Sequence, residues 1–333
     1  MARGGAPDGS GVTRGFLLGK FMPPHAGHQL LCEAALALVD ELTILVCWLP
    51  DDPVPGPLRL AWMRELFPAA RVIGHDAVVP QEPGDHPDFW PIWREIVRAA
   101  HPEPIDLVFA SESYGARLAA EVGARWRPID PGREAAAISA TAVRADPWAH
   151  WGALPPPVRG HYARTICLHG PESVGKSTLA RQLADHFDTL LMPEYGRTWC
   201  EAFGTDLVMD DLLAIARTHV AMTESLKRRC NRRLIADTDP LMTAVWADML
   251  FGERDPWFDA WGEPADLYLL LDMDLPWVDD GTRLFGGAED RRRFFELSRA
   301  ELERRGVRWA LVGGTGEARL DNALAAIEAA GLG

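Results

Sequence analysis

Residues 170–177 read Gly-Pro-Glu-Ser-Val-Gly-Lys-Ser, and this stretch decides the fold of the half of the chain around it. Two glycines five residues apart, followed by Lys and Ser, form a loop whose backbone N–H groups wrap a polyphosphate. In such a loop Lys176 reaches the outer phosphates of ATP, and the Ser177 hydroxyl holds Mg²⁺. The apolar run 165–168 predicts a strand before the loop. Residues 177–183 predict a helix whose positive end faces the phosphates.

The other positions of this P-loop are also expected to bind ATP, through backbone N–H groups or side chains. They are Gly170, Glu172, Ser173, Val174, Gly175 and Thr178. The alternative is a glycine-containing turn that fits the pattern by chance. Because strand, loop and helix occur in register, the sequence favours a nucleotide site.

The whole chain has 333 residues, enough for two domains that each bury a core. It is 47% hydrophobic and 25% charged, and its net charge of −14 disfavours binding to nucleic acid. The first 13 residues are rich in glycine and lack an apolar segment, which predicts a flexible start and no signal peptide. No apolar run reaches membrane-spanning length, so we expect no membrane insertion.

The five cysteines are scattered along the chain without the spacing of metal ligands. They are Cys32, Cys47, Cys167, Cys200 and Cys230. Three of them lie in apolar runs, as small core residues do. We therefore expect reduced thiols and a cytoplasmic location. The sequence is compatible with a homo-oligomer and does not define one.

The first half of the chain predicts alternating strands and helices. A strand over 15–18, a glycine loop, a helix over 30–39 and a strand over 42–48 form a parallel, right-handed βαβ unit. The alternation continues with helices near 58–67 and 88–99 and strands near 71–73 and 107–110. This pattern predicts a doubly wound, Rossmann-like α/β domain whose site lies at the carboxyl ends of its strands.

Two short segments of this half carry candidate phosphate ligands. His25 and His28 precede the first predicted helix, where imidazoles can hydrogen-bond a triphosphate and stabilise charge as pyrophosphate leaves. Ser139 and Thr141 are placed as N-caps of a short helix, with Arg144 one turn further on. The alternatives are that the two histidines are polar loop residues without a ligand, and that Ser139 and Thr141 only cap the helix.

The His-Ala-Gly-His loop and the Ile-Ser-Ala-Thr-Ala-Val-Arg segment resemble the paired signatures of the nucleotidylyltransferase superfamily. With the preceding Gly-Lys-Phe, the loop is similar to that of nicotinamide mononucleotide (NMN) adenylyltransferases. Ala140 and Ala142 depart from the pattern, which usually has a more polar pair there. The resemblance implies that ATP is held by Gly19, Lys20, Phe21, His25, Gly27, His28, Ser139, Thr141 and Arg144, with the two histidines and the arginine catalytic.

Trp90 and Trp93 lie three residues apart in a predicted helix. A Trp face stacks well on a cationic nicotinamide ring, so one of the two is a candidate substrate contact. Packing in the core is the alternative for both.

In the second half, short apolar strands that end in carboxylates alternate with helices, which is the layout of a P-loop kinase. Asp237 ends one strand and is expected to hold Mg²⁺ with Ser177. Asp239 is the competing candidate, and either could instead cap the next helix. Glu194 could accept the proton of a sugar hydroxyl during phosphoryl transfer, or simply pair with Arg197.

Arginines further along the chain are expected to neutralise charge on the transferred phosphoryl group. The candidates are Arg283, Arg291, Arg292 and Arg293, and a solvated helix face is the alternative.

Three further segments and the P-loop resemble the ribosylnicotinamide kinase domain of NadR-type bifunctional enzymes. They are Pro-Glu-Tyr-Gly-Arg at 193–197, Asp-Thr-Asp at 237–239 and Pro-Trp-Val-Asp-Asp-Gly at 276–281. The resemblance implies that Tyr195, Arg197, Asp239 and Asp280 contact the substrate. Some NadR-type proteins begin with a helix-turn-helix domain. The first predicted strand begins here at Gly15, so we expect neither that domain nor a repressor role.

The expected organisation is a flexible segment over 1–13, a nucleotidylyltransferase domain over 14–154 and a P-loop kinase domain over 155–333. The resemblance implies that the kinase converts nicotinamide riboside and ATP to NMN. The first domain would then join NMN to ATP, giving NAD and pyrophosphate. One alternative is a fusion with another acceptor, such as pantetheine phosphate or a different nucleoside. The other is a nucleotide-sensing ATPase without turnover.

Overall fold

The computed structural model describes residues 11–278 and 284–333 of the chain. Contacts divide the chain into two compact units, with the division between Val158 and Arg159. In the described part of the chain each unit contains one five-stranded, all-parallel sheet with helices. The predicted α/β fold with mainly parallel sheets is therefore confirmed. Residues 1–10 of the segment predicted as a flexible start lie outside the described residues.

The first unit is a doubly wound sheet in the order β3-β2-β1-β4-β5. Its strands are β1 (Arg14–Gly19), β2 (Glu41–Cys47), β3 (Arg71–His75), β4 (Leu107–Ala110) and β5 (Arg125–Pro128). Its helices are α1 (Ala26–Leu36), α2 (Gly56–Leu66), α3 (Phe89–Ala100), α4 (Tyr114–Val122) and α5 (Ala140–Ala145). Strand order reverses between β1 and β4, and a ligand crevice forms at such a point, beyond the carboxyl ends of the strands.

Both faces of this sheet are buried. Phe16 and Leu17 are adjacent in β1 and fully buried, yet they belong to different core clusters, because neighbouring side chains of a strand point to opposite faces. Leu17 packs with Met63 of α2, whereas Phe16 packs with Val97 of α3. Since helices cover both faces, the strand ends are left for a binding site.

The second unit has the sheet order β10-β9-β6-β8-β7. Its strands are β6 (Arg164–His169), β7 (Leu190–Met192), β8 (Arg233–Asp237), β9 (Leu267–Leu271) and β10 (Trp309–Val312). Its helices are α7 (Lys176–His186), α8 (Tyr195–Phe203), α9 (Met209–Lys227), α10 (Pro240–Phe251), α11 (Pro256–Ala260), α12 (Ala288–Arg304) and α13 (Gly316–Ala329). The remaining α-helix, α6 (Pro156–Tyr162), includes the division between the units.

The central strand β6 leads directly into the P-loop. Leu168 of β6 is paired with Asp237 of β8, so the carboxylate at the tip of β8 lies beside the start of the loop. The strand, loop and helix predicted around residues 170–177 are all present.

Two features of the first unit differ from the sequence expectation. Helix α1 begins at Ala26, earlier than expected, because His25 caps it with its own ring nitrogen. Strand β5 and helix α4 were not predicted; β5 carries two arginines and a proline in four residues and lacks an apolar alternation. In the described ranges none of the helices combines the length and the apolar character that a bilayer span needs.

Candidate active sites

The first unit has a cleft of about 1020 Å³ beyond the carboxyl end of β1. It is lined by every residue that the sequence places in the first site. These are Gly19, Lys20, Phe21, His25, Gly27, His28, Trp90, Trp93, Ser139, Thr141 and Arg144. The structure therefore brings segments from three distant parts of the chain to one cavity.

The two histidines of the loop stack on each other at the start of α1. Their ring centroids are 3.8 Å apart, and the edge of Phe21 packs against His28 at 5.0 Å. His25 Nδ1 accepts a hydrogen bond from the Gly27 N–H at 3.1 Å, which fixes the orientation of the His25 ring. A Cβ at Gly27 would lie 3.1 Å from that ring, so glycine permits this close approach.

Both histidines are held in the neutral form. Burial and the nearby charge of Arg133 lower the pKa of His25 to about 4. Burial, with the charges of His25 and Arg133, also lowers the pKa of His28 well below its ordinary value. Neutral imidazoles can still donate and accept hydrogen bonds, so the pair can contact phosphate oxygens without first losing a proton.

Helix α5 lines the cleft beside this loop. The Ser139 hydroxyl caps it by accepting the Ala142 N–H at 3.1 Å. Arg144 donates one hydrogen bond to the carbonyl oxygen of Met22 and another to the Thr141 hydroxyl at 3.1 Å. The two predicted signature segments are therefore in direct contact.

A buried ion pair anchors Lys20 at the entrance to the loop. The Arg59 side chain is completely buried and contacts Asp52 at 2.6 Å, and it also donates to the Lys20 carbonyl oxygen at 2.6 Å. Asp52 lies 3.5 Å from the Lys20 ammonium as well. Burial raises the pKa of Asp52, but hydrogen bonds from Leu49 N–H and Arg59 and the charge of Lys20 outweigh it and keep that pKa below its ordinary value. No pattern in the sequence predicted this pair.

Two further arginines line the cleft and were not predicted. Arg133 has a φ of 53° and donates to Glu112 at 3.4 Å. Its loop is held by Asp130, whose carboxylate accepts the backbone N–H groups of residues 134, 135 and 136. Arg117 lies over the Trp90 ring at 5.8 Å. Only the turn-like Asp-Pro-Gly at 130–132 hints at this loop in the sequence.

The tryptophans in the cleft differ in their surroundings. Trp93 is buried in the core, and its indole N–H donates to the Pro80 carbonyl at 3.0 Å. Trp90 is half-buried and packs only partly against that core. Trp90 is therefore the less enclosed of the two rings, although Arg117 lies over it.

The second unit has a smaller cleft of about 160 Å³ in front of the P-loop. The residues from the sequence prediction that line it are Glu172, Ser173, Gly175, Lys176, Ser177, Thr178, Glu194 and Arg197. Gly170, Val174, Tyr195, Asp237 and Asp239 are not among its lining residues, and Tyr195 packs in a core cluster. Asp280 and Arg283 lie outside the described residues.

The P-loop has the backbone that its sequence requires. Gly170 and Gly175 have φ values of 131° and 84°, in the region that favours glycine. The Lys176 ammonium donates to the carbonyl oxygens of Gly170 and Pro171 at 2.9 and 2.8 Å. Gly175 is the N-cap of α7, and the first three residues of this helix line the cleft, where a helix N-terminus favours an anion.

Asp237 and Ser177 form a pair suited to Mg²⁺. The Ser177 side chain lies near enough to the Asp237 carboxylate to favour its charged form. Asp237 Oδ1 is buried and has no hydrogen-bond partner in the described part of the chain. Burial, with the negative charge of Glu194, raises the pKa of Asp237 to about 6. A hydroxyl and a carboxylate are oxygen donors of the kind Mg²⁺ takes beside ATP phosphates, so these residues fit the ion. The described residues contain no cluster of three or more His, Cys, Asp or Glu that could hold a metal alone.

Asp239 has a different environment. Its Oδ1 accepts the N–H groups of Leu241 and Met242 and caps α10, and its other oxygen accepts the Tyr268 hydroxyl at 2.5 Å. Both oxygens are therefore engaged in holding the fold. Of the two acids, Asp237 has the free oxygen.

The carboxylate of Glu194 faces the same cleft. It lies 3.5 Å from Arg197 one helical turn on, and its charge contributes to the raised pKa of Asp237. Glu194 thus both pairs with Arg197 and lies near enough to Asp237 to affect its pKa. The far wall of the cleft is apolar and aromatic, with Leu212, Ile215, Met242 and Trp246, none of which was predicted as a site residue.

Two P-loop side chains contact backbone that is far away in sequence. Glu172 accepts the N–H groups of Leu284 and Phe285, the latter at 2.9 Å. Ser173 and Val278 are joined by hydrogen bonds of 3.1 Å. Burial raises the pKa of Glu172 above its ordinary value. In this structure these two side chains hold neighbouring backbone.

Known proteins resemble this chain over nearly its whole length. A family model described as an AAA domain matches residues 165–319. The "Trifunctional NAD biosynthesis/regulator protein NadR" of Escherichia coli (strain K12) is 30% identical over 322 residues, which is 90% of this chain and 78% of that protein. A crystal structure of NadR protein in complex with NR has a TM-score of 0.77 at 23% identity and covers 96% of both chains. A second NadR structure, in complex with NAD and AMP-PNP, has a TM-score of 0.76 at 24% identity and covers 97% of both chains. The two NadR structures therefore share the fold of this chain. The chain belongs to the NadR family.

Proposed function

We infer that this chain is an enzyme of NAD biosynthesis with two ATP-dependent activities. The observation that carries this conclusion is a pair of separate clefts, each built on a phosphate-binding loop, in a chain 30% identical across both units to an NAD biosynthesis protein. The second unit phosphorylates nicotinamide riboside with ATP, giving NMN and ADP. The first unit joins NMN to a second ATP, giving NAD and pyrophosphate.

In the first unit, we propose that the NMN phosphate attacks the α-phosphorus of ATP without a covalent enzyme intermediate. His25, His28 and Arg144 surround the ATP phosphates, and Lys20 adds positive charge at the mouth of the loop. Their task is to align the reactants and to stabilise the charge that develops on the departing pyrophosphate. We propose Trp90 as the ring that stacks on nicotinamide, on the face away from Arg117, because its ring is less enclosed than that of Trp93.

In the second unit, we propose that Lys176 and the N–H groups at the start of α7 bind the ATP phosphates. Ser177 and Asp237 would hold Mg²⁺, which neutralises phosphate charge when bound. We propose that Glu194 accepts the proton of the riboside hydroxyl, and its ion pair with Arg197 supports this role by orienting its carboxylate. The aromatic wall at Trp246 suits a flat base.

The domain limits remain a proposal: 14–154 for the adenylyl-transfer domain and 155–333 for the kinase domain. Helix α6, which begins at Pro156, lies just after that boundary. Proline is tolerated at the first turn of a helix, because its missing N–H has no partner there in any case.

Product analysis tests the proposed function. Nicotinamide riboside, ATP and Mg²⁺ are incubated with the full chain, and the nucleotides are separated by chromatography. The expected products are NMN, NAD, ADP and pyrophosphate. A nucleotidylyltransferase–kinase fusion that is specific for another acceptor would consume ATP only when that acceptor is supplied. A nucleotide-sensing ATPase would form neither NMN nor NAD.

A further inference from the structure

One buried arginine of the second unit joins the P-loop to two other segments. Arg319 lies on α13, is only 4% exposed, and directs its guanidinium at backbone carbonyl oxygens. Nη1 donates to Val174 of the P-loop, and Nε donates to Gly314 at 2.6 Å. Nη2 donates to Asp272, just beyond β9, at 3.3 Å. A single side chain therefore holds the P-loop, the turn after β10 and the end of β9 together.

A carboxylate balances the charge of this guanidinium. Asp274 Oδ2 lies 3.3 Å from Arg319 Nη2 and also accepts the Gly314 N–H at 2.5 Å. The same turn is held from α13 a second time, because Asn322 donates to the Gly313 carbonyl at 3.1 Å. The turn at Gly313–Gly314 is thus fixed by three side chains, and a buried charge that is paired and hydrogen-bonded is stable in its place.

The contact with Val174 has a direct consequence for the phosphate-binding face of the loop. In a trans peptide the C=O and N–H groups point in opposite directions. When Arg319 fixes the Val174 carbonyl, it therefore also fixes the direction of the Gly175 N–H, one of the donors that a P-loop turns toward phosphate. The approach is close: a Cβ added to Gly175 would lie 3.3 Å from Arg319 Nη1.

We propose that Arg319 is a positioning residue for phosphoryl transfer in the second unit. It acts through the Val174–Gly175 peptide and sets the spacing between the P-loop and the Gly313–Gly314 turn. This inference rests on the proposed kinase function of that cleft. Lysine keeps the charge but offers a single ammonium in place of the planar fork, so it can hold only part of this set of carbonyls.

Arg319→Lys and Arg319→Gln in the full chain test the proposal, with Arg305 as a matched control. Arg305 also clamps backbone carbonyls of the second unit, donating to Asp259 at 2.9 Å and to Trp261, but none of them belongs to the P-loop. We expect Arg319→Gln to raise the KM for ATP in riboside phosphorylation about tenfold with kcat changed less than about threefold, and Arg319→Lys to recover part of the loss. The Arg305→Gln variant should lower the melting temperature and leave this KM unchanged.

An unchanged KM for ATP in both Arg319 variants would overturn the proposal, as would an equal rise in Arg305→Gln. A second readout separates this result from the proposed function. AMP-PNP with Mg²⁺ is titrated into each full-length variant by calorimetry, and Lys176→Ala identifies the heat that belongs to the second unit. If the wild type fails to phosphorylate riboside, the substrate is wrong. Weaker AMP-PNP binding in Arg319→Gln would still support the positioning role, and unchanged binding would overturn it.

Discussion

Arg144 of helix α5 donates a hydrogen bond to the carbonyl oxygen of Met22, although the two residues are 122 positions apart in the sequence. This contact fastens the second signature of the first unit to the loop that carries the first. The arginine also holds the Thr141 hydroxyl on its own helix. One side chain thus keeps the proposed phosphate ligands of both segments at a fixed separation, as the alignment of ATP would require.

Replacing the P-loop lysine should separate the two activities. We expect Lys176→Ala to reduce riboside phosphorylation by about 10³-fold, since it removes a buried cation at the ATP phosphates. Adenylyl transfer from supplied NMN should stay within a few fold. Both rates are measured on one preparation. Lys227→Ala, at a surface ion pair of the same unit, is the control. Loss of both activities in a folded Lys176→Ala protein would contradict two independent sites.

The reciprocal result is expected for the histidine pair. His28→Ala should lower adenylyl transfer by about 10²–10³-fold, because a preorganised hydrogen-bond donor at the pyrophosphate is lost. Riboside phosphorylation should be retained. The rate of NAD formation from NMN and ATP is the measurement, and the exposed His86 is replaced by alanine as the control. A His28→Ala protein with normal NAD formation would remove the loop from the mechanism.

Substitutions of Asp237, the last residue of β8, and of Asp239, two residues further on, should have different effects. Asp237→Asn should abolish riboside phosphorylation with little change in stability, because its free oxygen belongs to the metal pair. Asp239→Ala should cost about 2–4 kcal/mol of unfolding free energy, because it removes the cap of α10 and leaves the proton of the buried Tyr268 hydroxyl without its acceptor. Urea denaturation and kinase assays measure both effects. An unstable Asp237→Asn and a stable, inactive Asp239→Ala would reverse the assignment.

Acid should destabilise the first unit through its histidines. The folded pKa of His25, about 4, lies below the ordinary 6.5, so the unfolded chain binds more protons below pH 6.5. The stability that neutral His25 contributes is therefore complete above about pH 6.5 and is lost as the pH falls toward 4. His25→Asn keeps a capping side chain without the titration, so its loss should be smaller. Hydrogen exchange of the α1 amides between pH 4 and 7 measures this, and equal pH dependence in both proteins would refute it.

The tryptophans provide a test of the NMN pocket. Trp90→Ala should raise the KM for NMN several fold, because a stacking face is lost, and should leave stability nearly unchanged. Trp93→Phe should leave this KM unchanged and destabilise the first unit by about 1–3 kcal/mol, since it loses the bond to Pro80 and core volume. Steady-state kinetics and denaturation separate the two outcomes. An effect on KM confined to Trp93 would assign the pocket to that residue.

The sequence predicts the parts of this protein that depend on local pattern. The P-loop, with the strand before it and the helix after it, follows from spacing and apolar runs, and so does the alternation of strands and helices in both units. Strand β5 escaped prediction because its charged residues are stabilised by pairing with β4 and not by an apolar face.

The missed site residues are those that act over long sequence distances. Arg59 contacts a carbonyl 39 residues away, and Arg319 contacts one 145 residues away. An isolated arginine in a helix has no local signal for such a contact. The sequence left both Asp237 and Asp239 as candidate Mg²⁺ ligands. Only the structure shows that the Asp239 carboxylate already accepts hydrogen bonds from Tyr268 and from α10 backbone N–H groups.

The bonds of Lys176 to Gly170 and Pro171 bear on how tightly the second unit can hold a nucleotide. A lysine side chain loses much rotational freedom when it is ordered, at a cost of up to about 2 kcal/mol. Here that entropy is lost when the unit folds, well before any ATP arrives. In the proposed binding mode, the ammonium would exchange two carbonyl oxygens for phosphate oxygens, and ATP binding would not have to order a mobile lysine side chain.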